Sequence, residues 1–408
     1  MLKYCSVIYA WEQRELSGIA SDLVRGPFGG SLKKEIFVSE GYRVYEQQDA
    51  IYGAEADGRY YITDEKFDEM SRFAINDGDF IISCSGTIGR IYRLPTNSER
   101  GVINQALLKV TVDESRVHPD FFLQYFRWDK FQQSITDDTQ GGAIKNLIGM
   151  ELFKKTKLKS PSISEQTSIG EFFHIFDTAV NLRKRKLEKL KEMKKGYLQR
   201  MFPQSGENVP RLRFAEFTER WAEKSLGEIS EKVAEKNSQR EFTETFTNSA
   251  EHGIVSQRDF FDKDISNEKN LDGYFIVRPD DFVYNPRVSN FAPVGPVKRN
   301  LLGRTGVMSP LYYVFRVTKG DLSFIEKYFE SVYWHEFMKL NGDNGVRADR
   351  FNIRDSVFEE MPIPFPSIDE QELVGRFFRN LDSQIIIQQA SLNKLKQLKQ
   401  AYLQKMFV

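Results

Sequence analysis

The chain carries two cysteines, Cys5 and Cys84, too few and too far apart for a disulfide framework or a paired-thiolate metal site. Its four histidines, His118, His174, His252 and His335, lack the paired spacing of a zinc helix, so no metal centre is expected. No stretch approaches the roughly 18 apolar residues of a membrane span, and Met1 to Ala10 lacks the charged start and apolar middle of a secretory signal. The expected compartment is therefore the cytoplasm. An excess of one charge is lacking too: 58 Lys plus Arg balance 58 Asp plus Glu. No global basic field draws in nucleic acid, and a DNA-binding role would rest on locally placed cations and on partners that neutralise phosphate.

Catalytic signatures are missing as well. No glycine-rich phosphate loop of the Walker or dinucleotide type is present. Asn285-Pro286-Arg287 starts like the Asn-Pro-Pro-aromatic loop with which amino-methyltransferases hold a flipped base, but the second proline and the aromatic are absent. A strand-to-loop turn is the expectation there. Asp64-Glu65-Lys66 offers the acidic and lysine pair of a metal-dependent nuclease without further support, and a surface turn is expected instead.

What is present is a repeat. The segment starting at Pro161 aligns without a gap on the segment starting at Pro366, and 19 of 43 positions are identical. A weaker echo precedes each copy: Trp11 matches Trp221, and the run around Asp79 matches that around Asp281. With 408 residues, 40% hydrophobic, the chain reads as two tandem units of about 200 residues, each a globular part followed by a helical part. The predicted boundaries are 11–160 and 221–365 for the globular parts, 161–203 and 366–408 for the helical parts, and 204–220 for a polar linker.

Ser164 and Asp369 are the expected helix N-caps. Apolar residues then recur at Phe173, Phe176, Val180, Leu187, Leu190, Tyr197 and Met201, interrupted by Arg183 and Lys194. The second copy repeats this at Phe378, Leu381, Ile385, Leu392, Leu395, Tyr402 and Met406, interrupted by Gln388 and Lys399. This three-four alternation is a coiled-coil seam, and one helix alone would leave it wet, so the copies are expected to pack on each other. Each helix of about 37 residues would span about 55 Å. Arg183 to Lys186 reads as a solvated face. The globular parts mix short β-like runs with helical stretches, the expectation being compact α/β (α+β) domains.

The repeated Ser-Glu-Gln-like helix starts, the paired phenylalanines, the Tyr-Leu-Gln-basic-Met-Phe ends at Tyr197–Phe202 and Tyr402–Phe407, and the joining stretch Leu212–Ile229 resemble the specificity subunits of type I restriction-modification enzymes. The resemblance implies two target-recognition domains alternating with two helices that form an antiparallel coiled coil, a pseudo-two-fold tandem repeat. It implies binding of double-stranded DNA at a bipartite asymmetric site, docking of two modification (methyltransferase) subunits, and association with restriction (translocase-nuclease) subunits. S-adenosylmethionine, ATP and Mg²⁺ would serve those partners, this chain having no catalytic site or cofactor of its own. Two readers held apart by a stiff spacer also suit half-sites near one DNA turn apart, about 34 to 36 Å. The alternatives are a non-DNA coiled-coil scaffold and an autonomous nuclease.

Candidate DNA contacts follow from residue chemistry. In the first domain Gly29 and Ser31 belong to a glycine-rich loop whose amides can approach phosphate, with Lys33 and Lys34 adding charge. Gln47 and Gln48 suit adenine, and Ser85, Thr87 and Arg90 form a polar loop. Lys145 and Asn146 lie in the exit loop, where the resemblance implies a DNA-facing segment. In the second domain Gln257 with Arg258, Tyr284 and Asn285 with Arg287, and Asn344 with Arg347 are the base-reading candidates, because Arg suits guanine and Asn or Gln suits adenine.

Overall fold

A computed structural model describes residues 11–28, 30–53, 56–137, 146–204, 206–260, 268–344 and 349–407. Two compact units emerge, Met1–Lys184 with Ser391–Val408, and Arg185–Ala390. They do not coincide with the two sequence repeats, because each takes the last turns of one long helix from the other repeat.

In the first unit, strands Glu12–Glu15 and Lys157–Ser160 pair antiparallel and bring the two ends of the globular part together. Between them lies an antiparallel four-stranded sheet in the spatial order Ala20–Arg25, Leu107–Val112, Phe80–Ser83, Ile91–Arg93. A second sheet holds Tyr61–Ile62, Tyr42–Tyr45, Gly101–Ile103 and Ala74–Ile75, with one parallel pairing. Phe80–Ser83 is buried along its whole length. Side chains alternate across a strand, so Phe80 and Ile82 enter the core that includes the helices while Ile81 enters a second core beneath the other sheet.

The second unit repeats this plan. Ala222–Ser225 pairs with Pro362–Phe365, and the four-stranded sheet runs Ser230–Lys232, Tyr313–Val317, Phe282–Tyr284, Val297–Arg299. Phe282 and Tyr284 face one core and Val283 the other. The echo around Asp79 and Asp281 has a structural cause. Both carboxylates are buried, and each accepts a hydrogen bond from a turn amide, Asn76 N at 2.7 Å and Arg278 N at 2.8 Å.

The long helices are Ile163–Arg200 and Ile368–Met406. Their caps lie two residues earlier than the sequence reading placed them. Ser162 Oγ accepts from Glu165 N and Ser367 Oγ from Glu370 N, the N3 amides that an N-cap oxygen can reach. Within each unit the two helices run antiparallel. Phe173 meets Phe407 and Asp177 meets Lys399 in the first unit, and Phe378 meets Phe202 and Asp382 meets Lys194 in the second. Phe173, Leu187, Leu190, Phe378, Leu381 and Leu392 are buried, and Phe176, Val180, Tyr197, Ile385 and Leu395 are half-buried. Tyr402 is 40% exposed, its ring lying against Phe172 and Phe176 of the other long helix, the partners a seam residue would have. Beside it Leu403 and Phe407 enter the globular core.

Those helix ends complete the cores. Phe407 packs against Trp11, Phe121 and Tyr125, and Phe202 makes the equivalent contacts with Trp221, Phe324 and Tyr328. The glutamine of the repeated helix start joins helix to domain in both copies. Buried Gln166 accepts from His118 N and donates to Pro161 O, and buried Gln371 accepts from Asp321 N and donates to Pro366 O, all at 2.9 Å. Gly170 and Gly375 let the domains come close. A Cβ on Gly375 would lie 2.4 Å from Asp321 Oδ1. The segment read as a polar linker is docked rather than loose: Arg213 makes a two-pronged ion pair with buried Glu370, which also accepts from Trp221 Nε1. Asp64-Glu65-Lys66 opens the short helix Asp64–Glu69, capped by Thr63, in place of the expected surface turn. No helix among the described residues is long and apolar enough to cross a membrane.

Candidate nucleic-acid interface

The two units carry one hairpin in equivalent positions and build it differently. In the first, the loop between Phe80–Ser83 and Ile91–Arg93 is tight: Ser83 N donates to Arg90 O, and buried Ser83 Oγ donates to Thr87 O. Gly89 has φ of 73°, a left-handed conformation that favours glycine. Thr87 and Arg90 are exposed and Ser85 is half-buried. Gln47, at the start of helix Gln47–Tyr52, donates from Nε2 to Thr87 O at 3.3 Å. The fold thus brings Gln47 and the Ser85–Arg90 loop together, two segments that the sequence could name only separately.

Other first-domain candidates are placed apart from this pair. Gln48 donates to Asp57 O at 3.1 Å. Ser31, Lys33 and Lys34 are exposed, and the turn leading to them is closed by Ser31 N donating to Phe28 O. Phe28 stands 95% exposed beside them. Gly29 and Lys145 lie outside the described residues. Asn146 is described by its backbone alone, in a two-residue ladder with Asp137.

In the second unit the equivalent loop, residues 285–296, is longer. Asn285 Nδ2 donates to Asn248 O, and Asn285 Oδ1 accepts from Arg287 N. Arg287 is exposed. Val288 N donates to Asp349 O and Phe351 N to Pro286 O, which seats this loop against the strand that follows the Asn344 segment. Asn344 is described by its backbone only, paired with Phe351, and Arg347 lies outside the described residues. Around Asn285 and Arg287 opens a cavity of about 420 Å³ whose wall includes Asn248, Phe291 and Tyr312. Phe291 is 72% exposed, and the buried Asn248 Oδ1 has no hydrogen-bond partner. The sequence reading missed these residues because Asn248 and Tyr312 are far from Arg287 in the chain. Phe291 had a local signal, a lone aromatic in a run of small and polar residues.

Two candidates are corrected by their surroundings. Tyr284 is buried in the sheet, its hydroxyl donating to Val294 O at 2.9 Å, and burial pushes that hydroxyl up in pKa, so it is a core residue. Gln257 folds back on its own sheet, its Nε2 donating to Phe246 O and its Oε1 buried without a partner. Its neighbour Arg258 is exposed and close enough to Glu244 to help hold that carboxyl below the usual range, behind the larger effect of Arg304.

A family model described as the type I restriction modification DNA specificity domain matches residues 11–192 and 218–397. The type I restriction enzyme MjaVIII specificity subunit of Methanocaldococcus jannaschii is 22% identical over 343 residues, 80% of this chain and 77% of that protein. The crystal structure of a type I restriction-modification S subunit from M. genitalium has a TM-score of 0.59 at 14% identity, covering 100% of this chain and 98% of that one. A chain from a structure concerned with complex assembly and conformational transition of the type I R-M system has a TM-score of 0.53 at 14% identity, covering 98% of each. At those identities the two structures speak for the fold alone.

Proposed function

Because the chain belongs to the type I restriction-modification DNA specificity family, we propose that it is the DNA-reading subunit of such a system, each globular domain binding one half of a bipartite, asymmetric double-stranded site. The observation that carries this is a repeated frame with unlike rims. The hairpin loops 84–90 and 285–296 stand on equivalent strands but differ in length and in the order of their exposed side chains, Thr87 and Arg90 in one and Arg287, Ser289, Asn290 and Phe291 in the other. In the first domain Gln47, Thr87 and Arg90 are the contact residues of choice, and in the second Asn285 and Arg287, with Phe291 beside them.

The helices dock the modification subunits in this reading. Ile175 and Leu182 in the first unit, and Ile386 and Ile387 in the second, are more than half exposed on the long helices, which supports a protein partner on those faces. Restriction subunits join the same assembly. Catalysis, and the S-adenosylmethionine, ATP and Mg²⁺ it needs, belong to the partners. Since the chain's net charge is zero, much of the phosphate neutralisation falls to them as well.

Replacing residues 221–365 by the corresponding domain of another family member tests the reading, with methylated sites mapped by sequencing. One half-site is expected to change and the other to persist. A change in both, or in neither, would overturn it. Mobility shifts with and without modification subunits add a second check, the chain alone being expected to bind weakly.

A further inference from the structure

Lys194 and Lys399 interrupt the helical seams, and the structure gives them work. In the first unit Lys399 Nζ lies 2.5 Å from Asp177, which also accepts from Gln124 Nε2 at 2.8 Å and Arg127 at 3.2 Å. Gln124 and Arg127 lie on Pro119–Arg127, the domain helix whose Phe121 and Tyr125 pack on Phe407. In the second unit Lys194 Nζ lies 2.6 Å from Asp382 and 2.6 Å from Glu330, and buried Lys327 lies 2.6 Å from Asp382 and 2.5 Å from Glu330. Lys327 and Glu330 lie on the equivalent helix Leu322–Glu330, where Phe324 and Tyr328 pack on Phe202.

The aromatic contacts superimpose the two domain helices residue by residue, so Gln124 matches Lys327 and Arg127 matches Glu330. The helix-borne pair is the same in both units, aspartate and lysine. The domain-borne pair is not: an amide and a cation in one, a cation and an anion in the other. Each solution supplies the aspartate with a donor from the domain besides the helix lysine.

We infer that Asp177–Lys399 and Asp382–Lys194 are equivalent sockets that position the globular domains on the helices, and that Gln124/Arg127 and Lys327/Glu330 are interchangeable keys to them. These eight groups are positioning residues, since none of them is proposed to touch DNA. A domain fits when its helix brings at least one donor for the aspartate at either of two positions three residues apart, one turn on the same face. The electrostatics agree. Burial would raise the Asp177 carboxyl, but Lys399 and Arg127 overcome it and hold it below its ordinary value. Burial would lower the Lys327 ammonium, but Glu330, Glu326 and Asp382 raise it well above its ordinary value.

The test is a key transplant in the full-length chain: Lys327→Gln, Glu330→Arg, and the two together, which writes the first unit's key into the second. Each single substitution is expected to lower the melting temperature by several degrees, the first by taking a buried cation from Asp382 and Glu330, the second by crowding three cations around one carboxylate. The double variant is expected to recover at least half of the summed loss. Additive or worse behaviour, or singles that melt like the parent, would overturn the inference. Should Glu330→Arg alone fail to fold, the reciprocal pair Gln124→Lys with Arg127→Glu gives the same cycle in the first unit. A second readout separates positioning from bulk stability and rests on the function proposed above. At a temperature where all variants are folded, and with modification subunits bound, Lys327→Gln is expected to relax discrimination at one half-site while the other is read as before, and the double variant restores it. Equal relaxation at both half-sites would overturn the positioning role and leave sockets and keys as stability elements only. Absence of methylation with the parent chain would count against the proposed function and leave the melting cycle to decide whether the keys are interchangeable.

Discussion

The two domain-to-helix junctions hold the same shape with different chemistry. Both are plugged by a phenylalanine from a helix end and bridged by a buried glutamine. They differ at two side chains, and the electrostatic outcome diverges. In the first unit burial pushes the Lys399 ammonium below its ordinary value, and Asp177 does not make up the difference because the nearby Arg127 cation repels it. In the second, burial would raise the Glu330 carboxyl, yet Lys327 and Lys194 hold it below the usual range. Packing is the invariant part of the repeat, and charge is where the copies are free to differ as long as each buried group keeps a partner.

The aromatic plugs should be the point of greatest equality. Phe202→Ala and Phe407→Ala are each expected to cost about 3 to 5 kcal/mol by chemical denaturation. A large gap between them would show that the two cores are less alike than their contacts. The charge clusters should part company instead. Lys327→Met removes the buried cation shared by Glu326, Glu330 and Asp382, leaving Lys194 alone to serve Glu330 and Asp382 and Arg299 to serve Glu326, and should cost about 2 to 3 kcal/mol. Lys399→Met should cost only about 1 kcal/mol, because Arg127 and Gln124 still serve Asp177. Equal losses would dissolve the contrast.

At the rims, Arg287→Ala should weaken binding by the assembled complex by about 1 to 3 kcal/mol, confined to one half-site, and Gln47→Ala should do likewise for the other. Titration against duplexes altered in one half at a time reads this out. A loss spread evenly over both halves would mean phosphate contact rather than base reading.

The smallest effect concerns pH. Asp177 has a folded-state value below its ordinary 3.8, so its contribution is complete above that value and is lost as pH falls through the folded-state value. Thermal unfolding of the parent and of Asp177→Asn, followed from pH 7 downward, should show a constant difference until the pH nears 4 and a shrinking one below it. A difference that grows on acidification would mean that Asp177 is a net burden at neutral pH.

Much of this was legible beforehand in the repeat. The long helices, the buried Phe173 and Phe378, and the equivalence of the two halves follow from a three-four alternation and from aligned motifs, which are local signals. That Leu403 and Phe407 would enter a globular core was misread, because the alternation predicts a helix-on-helix seam and no period encodes the packing of the last turns on a domain. Tyr284 was misplaced for a related reason: next to Asn285 and Arg287 it resembles a polar loop, and only the pleat shows that its side chain points inward. Lys194 and Lys399 registered as mere interruptions, since their acidic partners, Glu330 on a domain helix and Asp382 and Asp177 on the opposite long helices, lie far away in sequence.

By itself the sequence determined that there are two copies of one plan, that each has a long amphipathic helix, and that no familiar catalytic signature is present, because period, motif and composition are properties of the chain read in order. The tertiary structure alone decided that each unit borrows the end of the other repeat's helix, that Gln47 meets Thr87, and that Asn248 meets Asn285. Those are contacts between segments tens to hundreds of residues apart, chosen by which apolar faces can be buried together and which buried polar groups can then find a partner.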